Sequence, residues 1–445
     1  MKKRLLSLLC LTLVAAMLLT ACGAPAASSA APAAPAAPAE SKASEAAPAE
    51  PAKTGEKAKL VYWTMWNETE PQGKVLGEAI DAYSKKTGVK VEVQYNGRDI
   101  RKTLQPALDN GTVIDIFDED VERVNGTWGN YLLDLEEMAA KSYEATGGKP
   151  FTDVVSKTLI NLARSLGPNG KLSTIPYQPS TFVVMYNKEI FEAAGIKEMP
   201  KTWDEFLAVC EKIKAAGKTP ITVDDAYIGA LTGYHLDRII GKDATVALST
   251  SKSWDNPGVL KFAQDWENMA KKGYISAKAA ANVFPQGQLE EIATESTAMY
   301  LNGTWLPNEI KDTAKPDFKW GSFAYPAVAP EGDGPEANNF GAQCIGINKA
   351  TKYPQEAFDL IVWLTTGEWD NKLAAESMGV PMGNDSTWPV QLADAKVVLD
   401  STKTRLPWAC GMETDADVHA RVKENFQKLI SGTIDANGYV KAMKG

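Results

Sequence analysis

The sequence predicts an α/β protein with more than one domain. Its folded part opens as strand, helix, strand with short connections, the unit of an open parallel sheet. Near the middle, Pro176 and Pro179 sit three apart and force an extended connector into the apolar strand Phe182 to Tyr186. A chain needs such a segment where it passes between lobes, although an ordinary loop ahead of a core strand fits the same pattern. The 445 residues suffice for two sizeable cores.

Residues 1–21 read as an export signal, with Lys2, Lys3 and Arg4 ahead of the apolar run Leu5 to Leu19. The signal ends in Leu19-Thr20-Ala21-Cys22, which resembles a lipobox. Cys22 is therefore expected to be acylated, to become the new N-terminus and to anchor the protein on the extracytoplasmic face of a cell membrane. Residues 22–57 are rich in Ala and Pro, lack apolar periodicity and read as a semi-extended tether.

The folded part begins near Lys59. Leu60 to Trp63 reads as a buried strand, followed by a polar loop, Thr64 to Gly73, that holds Trp66, Asn67 and Glu68. Val75, Leu76, Ala79, Ile80 and Tyr83 share one helical face, and Gly88 ends that helix. Val89, Val91, Val93 and Tyr95 alternate as a strand, a helix spans Ile100 to Leu108, and Val113 to Phe117 is the next strand. Beyond the connector, a short helix runs from Ile190 to Ala194 and stops at Gly195. Thr202 and Glu205 form a capping box. Thr219 to Thr222 is a strand ending at Asp224, Asp225 and Tyr227. Tyr234 to Gly287 reads as mainly helical. Ala298 to Tyr300 is a strand leading into Asn302-Gly303-Thr304-Trp305, and Pro354 to Leu364 is a helix.

Composition narrows the function. A formal net charge of −9 argues against nonspecific nucleic-acid binding, which needs a basic face. With 2 histidines, His235 and His419, no histidine-rich metal site is expected. Cys210, Cys344 and Cys410 lack metal-ligand spacing, and Cys210 falls on the apolar side of its helix. No Gly-x-Ser-x-Gly elbow, phosphate-cradling loop or zinc pattern appears. No catalytic residue, metal or cofactor is therefore expected.

Ligands of open sheets bind at the carboxyl ends of strands. That places Trp63, Trp66, Asn96 to Arg98 and Asp118 to Arg123 in view. The acidic run Asp118-Glu119-Asp120, with Glu122, has three readings: a solvated loop, acceptors for sugar hydroxyls, or a site for a cation such as a polyamine. The aromatics Trp63 or Trp66, Tyr177, Tyr227, Trp305 and Trp408 form a second set. A pyranose has apolar C–H faces that suit flat rings and polar edges that suit Asp, Asn, Gln and Arg. Packing fits each ring alone, whereas the set near strand ends points to a ligand cleft. Asn67, Gln178, Ser180, Asp225 and Asn302 are the polar candidates.

The stretch Pro176-Tyr177, then Tyr186-Asn187-Lys188, Phe191, Gly195-Ile196, Pro200 to Trp203 and Glu205, resembles the middle signature of extracellular solute-binding proteins of sugar ABC importers, the group that includes maltose-binding protein. Leu60 to Trp63, Thr87 to Val89, Asp115-Ile116, Ala298-Met299 with Asn302 to Trp305, Asn339 to Ile347 and Gly379 to Pro381 continue the match in order. Ile114 departs from it, where proline is usual. The resemblance implies a two-lobe periplasmic-binding-protein-like fold of type II, with a ligand cleft and a three-segment hinge near Gln178 to Ser180, Phe340 to Cys344 and Met378 to Met382. One lobe would comprise 58–178 and 341–378, the other 179–340 and 379–445. It further implies that Trp305 faces a sugar, that Glu119, Glu122 and Arg123 fall closest to contacting positions and that Trp408 adds a stacking ring. The implied protein is a non-enzymatic monomer that hands a sugar or oligosaccharide to a membrane permease with a separate ATPase. A cationic solute on the same fold and a secreted glycosidase are the alternatives.

Overall fold

The computed structural model describes residues 58–445. The export signal, Cys22 and the Ala/Pro tether lie outside the described residues.

The opening unit is β1 (Lys59–Thr64), α1 (Pro71–Thr87) and β2 (Lys90–Tyr95), with the two strands parallel. α1 buries Val75, Leu76, Ala79, Ile80 and Tyr83. It stops at Gly88, whose φ of 78° is the left-handed turn that glycine tolerates best. The polar loop before α1 is shorter than expected, because Pro71 already fits the first helical turn. α2 (Ile100–Asp109), β3 (Ile116–Asp120) and α3 (Val121–Gly126) follow, and β3 runs parallel to β1.

Six more strands extend the sheet or flank it: β4 (Thr174–Asn187), β5 (Thr219–Thr222), β6 (Thr297–Gly303), β7 (Trp320–Phe323), β8 (Ala337–Asn338) and β9 (Phe340–Ile347). The sheet order is β2-β1-β3-β9-β4-β6-β5, with β7 also on β4. β8 pairs separately with β10 (Thr404–Arg405). The sheet is thus mixed rather than parallel. β9 returns from the second lobe and inserts antiparallel between β3 and β4.

That insertion moves the acidic run. Expected in a loop, Asp118, Glu119 and Asp120 are strand residues, paired with Ile345, Cys344 and Gln343 of β9. The strand also begins later than Val113, which is exposed. β4 absorbs the connector whole. Its first half, Thr174 to Thr181, pairs with β9, and its second half pairs with β6 and β7. Among the described residues β9 is the only strand on that first half, so the absent N–H groups of Pro176 and Pro179 leave no second ladder incomplete.

Two separate cores sit on this sheet. The first gathers Leu60, Ile80, Leu104, Phe117, Trp128, Ile175, Ile345 and Phe358. The second gathers Phe182, Trp203, Phe206, Ile221, Leu231, Trp266, Met299 and Phe426. Tyr177 packs in the first and Phe182 in the second, so the chain crosses between them. Ala337 and Phe340 mark the return. At the expected third passage, Met378 to Met382, the chain touches both cores: Val380 packs in the second. Met382 is in the first core, and its carbonyl accepts from Ser156 N at 3.0 Å. The reason is Asp370, whose carboxylate collects Met382 N and Gly383 N at 2.8 Å and Ser386 Oγ at 2.5 Å. The chain is back in the second core at Leu392.

Candidate functional site

The first lobe presents a buried polar knot at the ends of β1 and β3. Asp118 is fully buried, and four donors converge on it: Tyr62 OH at 2.5 Å, Thr64 Oγ1 at 2.8 Å, Met65 N at 2.6 Å and Tyr177 OH at 3.1 Å. Burial outweighs these donors and pushes its carboxyl up to about 6. Burial also raises both phenols well above their ordinary value, so they remain donors. Tyr177 OH accepts Trp66 Nε1 at 2.5 Å. The knot therefore positions Trp66, and Tyr177 is itself a buried supporting residue. Arg98 lies 4.6 Å from the Trp66 ring centre, held in place by a fork onto Glu70 at 2.9 and 3.0 Å and by Met65 O at 2.8 Å.

Glu119 is buried beside the knot. Arg101 Nε lies 2.6 Å and Arg123 Nε 3.3 Å from its two oxygens. Burial opposes its charge, yet hydrogen bonds from Asp120 and Arg101 hold its carboxyl low. Asp120 is pushed up to about 7 by burial and by its neighbour Glu119. Asp120 Oδ1 also caps α3, accepting Glu122 N at 3.1 Å and Arg123 N at 2.9 Å. Glu122 reaches across to Arg405 Nη2 of the second lobe at 2.5 Å, while Arg405 Nε donates to Phe340 O at 2.8 Å.

The second lobe contributes aromatic rings. Trp305 Nε1 donates to Tyr227 OH at 3.1 Å. The Trp305 ring centre is 6.0 Å from Phe182 and 6.2 Å from Trp408, and Phe182 meets Trp408 edge-on at 5.2 Å. Trp408 Nε1 donates to Glu413 at 2.7 Å. Asn302 is buried on β6; its Oδ1 accepts Gly303 N at 2.6 Å, and its Nδ2 has no partner among the described residues. Nor do either of the polar atoms of buried Gln288. Surrounding protein pushes Glu309 up to about 7, with Arg98 of the first lobe pulling the opposite way, so the two lobes face each other here. Asp224, behind this surface, anchors Gly287 N at 2.5 Å and Tyr300 OH at 2.8 Å.

The expected residues therefore separate into groups. Trp305, Tyr227, Trp408 and Asn302 come together in the second lobe. Trp66, Tyr177, Glu119 and Arg123 gather in the first. Trp63 is nearly buried in β1. Asn67 is exposed and turns the chain into α1, its N donating to Glu70 at 2.6 Å. Gln178 donates to Ser377 at 3.1 Å, and Ser180 lies opposite Gly341 in the β4–β9 crossing. Both oxygens of Asp225 are engaged, by Phe284 N at 2.9 Å and Lys423 Nζ at 3.3 Å. Sequence reading missed Gln288 and Glu309, which follow no strand. It also missed Phe284, whose ring lies 5.8 Å from Tyr227. Cys210, Cys344 and Cys410 are buried free thiols. Among the described residues no group of His, Cys, Asp and Glu is arranged to hold a metal.

Residues 78–393 match the family model described as bacterial extracellular solute-binding protein. A multiple sugar-binding protein of Streptococcus mutans is 24% identical over 324 residues, covering 70% of this chain and 72% of its own. A diacetylchitobiose-binding protein of Streptomyces coelicolor is 27% identical, over 52% of this chain and 50% of its own. Against that relative and binding proteins of Brucella, the match spans about half of the relative's length. In fold, the apo form of RafE from Streptococcus pneumoniae superposes with a TM-score of 0.68 at 20% identity, over 87% of this chain and 96% of that one.

Proposed function

Because the chain belongs to the bacterial extracellular solute-binding protein family, we propose that it captures a sugar or oligosaccharide between its lobes and delivers it to an ABC importer permease. The observation that carries this reading is the cluster of Trp305, Tyr227 and Trp408 beside Asn302 Nδ2 and the Gln288 amide, which have no partner among the described residues. Flat rings suit the faces of a pyranose, and unpaired amides suit its hydroxyl edges. A ligand touched from both sides favours the closed form, and that form docks on the permease. The names of the Streptococcus mutans and Streptomyces coelicolor relatives point to the same ligand class. The lobes are taken as 58–178 with 341–378 and 179–340 with 379–445; the two cores support the division, Val380 packing in the second core while Met382, held by Asp370, packs in the first. Cys22 would carry the lipid anchor, and the protein would act as a monomer without catalysis.

The cationic alternative loses its main support. Four donors engage Asp118, and two guanidinium groups flank Glu119, so little of the acidic run is free for an ammonium group.

Thermal unfolding of a chain starting at Lys57 tests the reading against sugars, spermidine and short peptides. A ligand at about 100 times its Kd adds about 2.7 kcal/mol, a visible shift. The expected result is a shift with one sugar class. Shifts with spermidine alone would replace that reading, and cleavage products from an incubated oligosaccharide would reveal a glycosidase. Trp305→Ala should weaken sugar binding by about 2 kcal/mol, and unchanged affinity would remove Trp305 from the site.

A further inference from the structure

Phe284 is an exposed aromatic ring, with 40% of its surface open to solvent, beside the exposed Val283. An exposed ring of this size usually packs on something or rests loosely. The backbone that carries this one is fastened. Its N–H donates to Asp225 Oδ1 at 2.9 Å, and Asp225 is held in turn by Lys423 at 3.3 Å and by Asn282 O at 3.1 Å. One residue earlier, Val283 N donates to Gln286 Oε1 at 3.0 Å. The ring meets Tyr227 nearly edge-on, at 5.8 Å and 67°. Tyr227 is the phenol that accepts from Trp305, and Trp305 packs beside Trp408. Phe284 touches only Tyr227 of this set, so it forms the end of the aromatic surface and its most exposed ring.

We propose that Phe284 is an outer stacking residue, lengthening the surface by one sugar ring so that the protein selects chains over single sugars. The inference rests on the reading of this site as a saccharide site. The chemistry is simple: each further pyranose needs another flat apolar face. A face already fixed before binding adds affinity without the cost of ordering a loop. Asp225 acts through Phe284 as a positioning residue, since both its oxygens are engaged within the protein.

The test is titration calorimetry with chito- and xylo-oligosaccharides of one to five rings, and with raffinose. For the ladder that binds, wild-type affinity should rise with length. Phe284→Ala should remove the last increment, lowering affinity for the longest member about tenfold while leaving the shortest binder unchanged. Phe284→Leu keeps apolar contact with Tyr227 but lacks a flat face, so it should behave like Phe284→Ala, whereas Phe284→Trp should restore the increment. Equal loss at every length, no loss, or wild-type behaviour in Phe284→Leu would each overturn the inference. If no saccharide binds the wild-type protein, the sugar reading itself falls and takes this inference with it.

Discussion

Asp118 shows how much a single carboxylate organises. Its carboxylate binds a proton more tightly folded than unfolded, because burial lifts its pKa from 3.8 to about 6. Stability from this group is fully present below about pH 4 and is lost as pH rises through about 6, a change of about 3 kcal/mol. Asp118→Asn has no such titration, and its amide turns an NH2 toward donors. The variant should therefore be less stable than wild type at every pH, with the gap largest near pH 4 and smallest near pH 7. Denaturant titrations at those two pH values check this, and a pH-independent gap would contradict it. At this scale the sequence was partly legible. Trp305, Asn302 and Tyr227 follow predicted strands, and position together with the family motif around Trp305 singled them out. Gln288 and Glu309 follow no strand, and nothing local marks them. Tyr177 was legible as important but not in its role, because its partners Trp66 and Asp118 lie 111 and 59 residues away in sequence.

Among elements, β4 and β9 do the most. They run side by side from one core toward the other, so the lobes are joined by a hydrogen-bonded ribbon rather than by free loops. Closure must then twist or bend that ribbon. Arg405 sits on it, bound to Phe340 O and ion-paired with Glu122 of the opposite lobe. This partly exposed pair should stabilise the present lobe arrangement modestly. A double-mutant cycle of Glu122→Gln and Arg405→Gln, read by thermal unfolding, should give a coupling of about 0.5 to 1 kcal/mol that shrinks in 1 M salt. Additive effects would show the pair to be idle. Helices with strong periodicity and caps, such as α1 and the capping box at Thr202, were readable locally. The extent of β3 was not, because its acidic end is strand only by virtue of β9, which the local pattern does not contain.

At the level of the whole molecule, the two cores and shared sheet followed from chain length, the proline connector and the family signature. The return of Met382 to Ser386 onto the first lobe did not, since Asp370 holds those residues by contacts invisible to any local pattern. Amides of the β4–β9 ribbon should exchange with solvent as slowly as those of either core. Hydrogen exchange followed by mass spectrometry checks this, and fast exchange there would mean that the hinge opens independently.

The insertion of β9 also sets an order of events in time. Thr351 Oγ1 donates to Asp115 Oδ1 at 2.5 Å across 236 residues of sequence, and β3 has no antiparallel neighbour until β9 exists. A chain made from its N-terminus therefore emits most of its first lobe long before that lobe can close its sheet. The second-lobe strands β4, β5, β6 and β7 all arise between Thr174 and Phe323, also ahead of β9. Such long-range pairing is slow. The newborn protein thus passes through an interval in which β3, already beside β1, waits with its far edge open for a segment not yet synthesised.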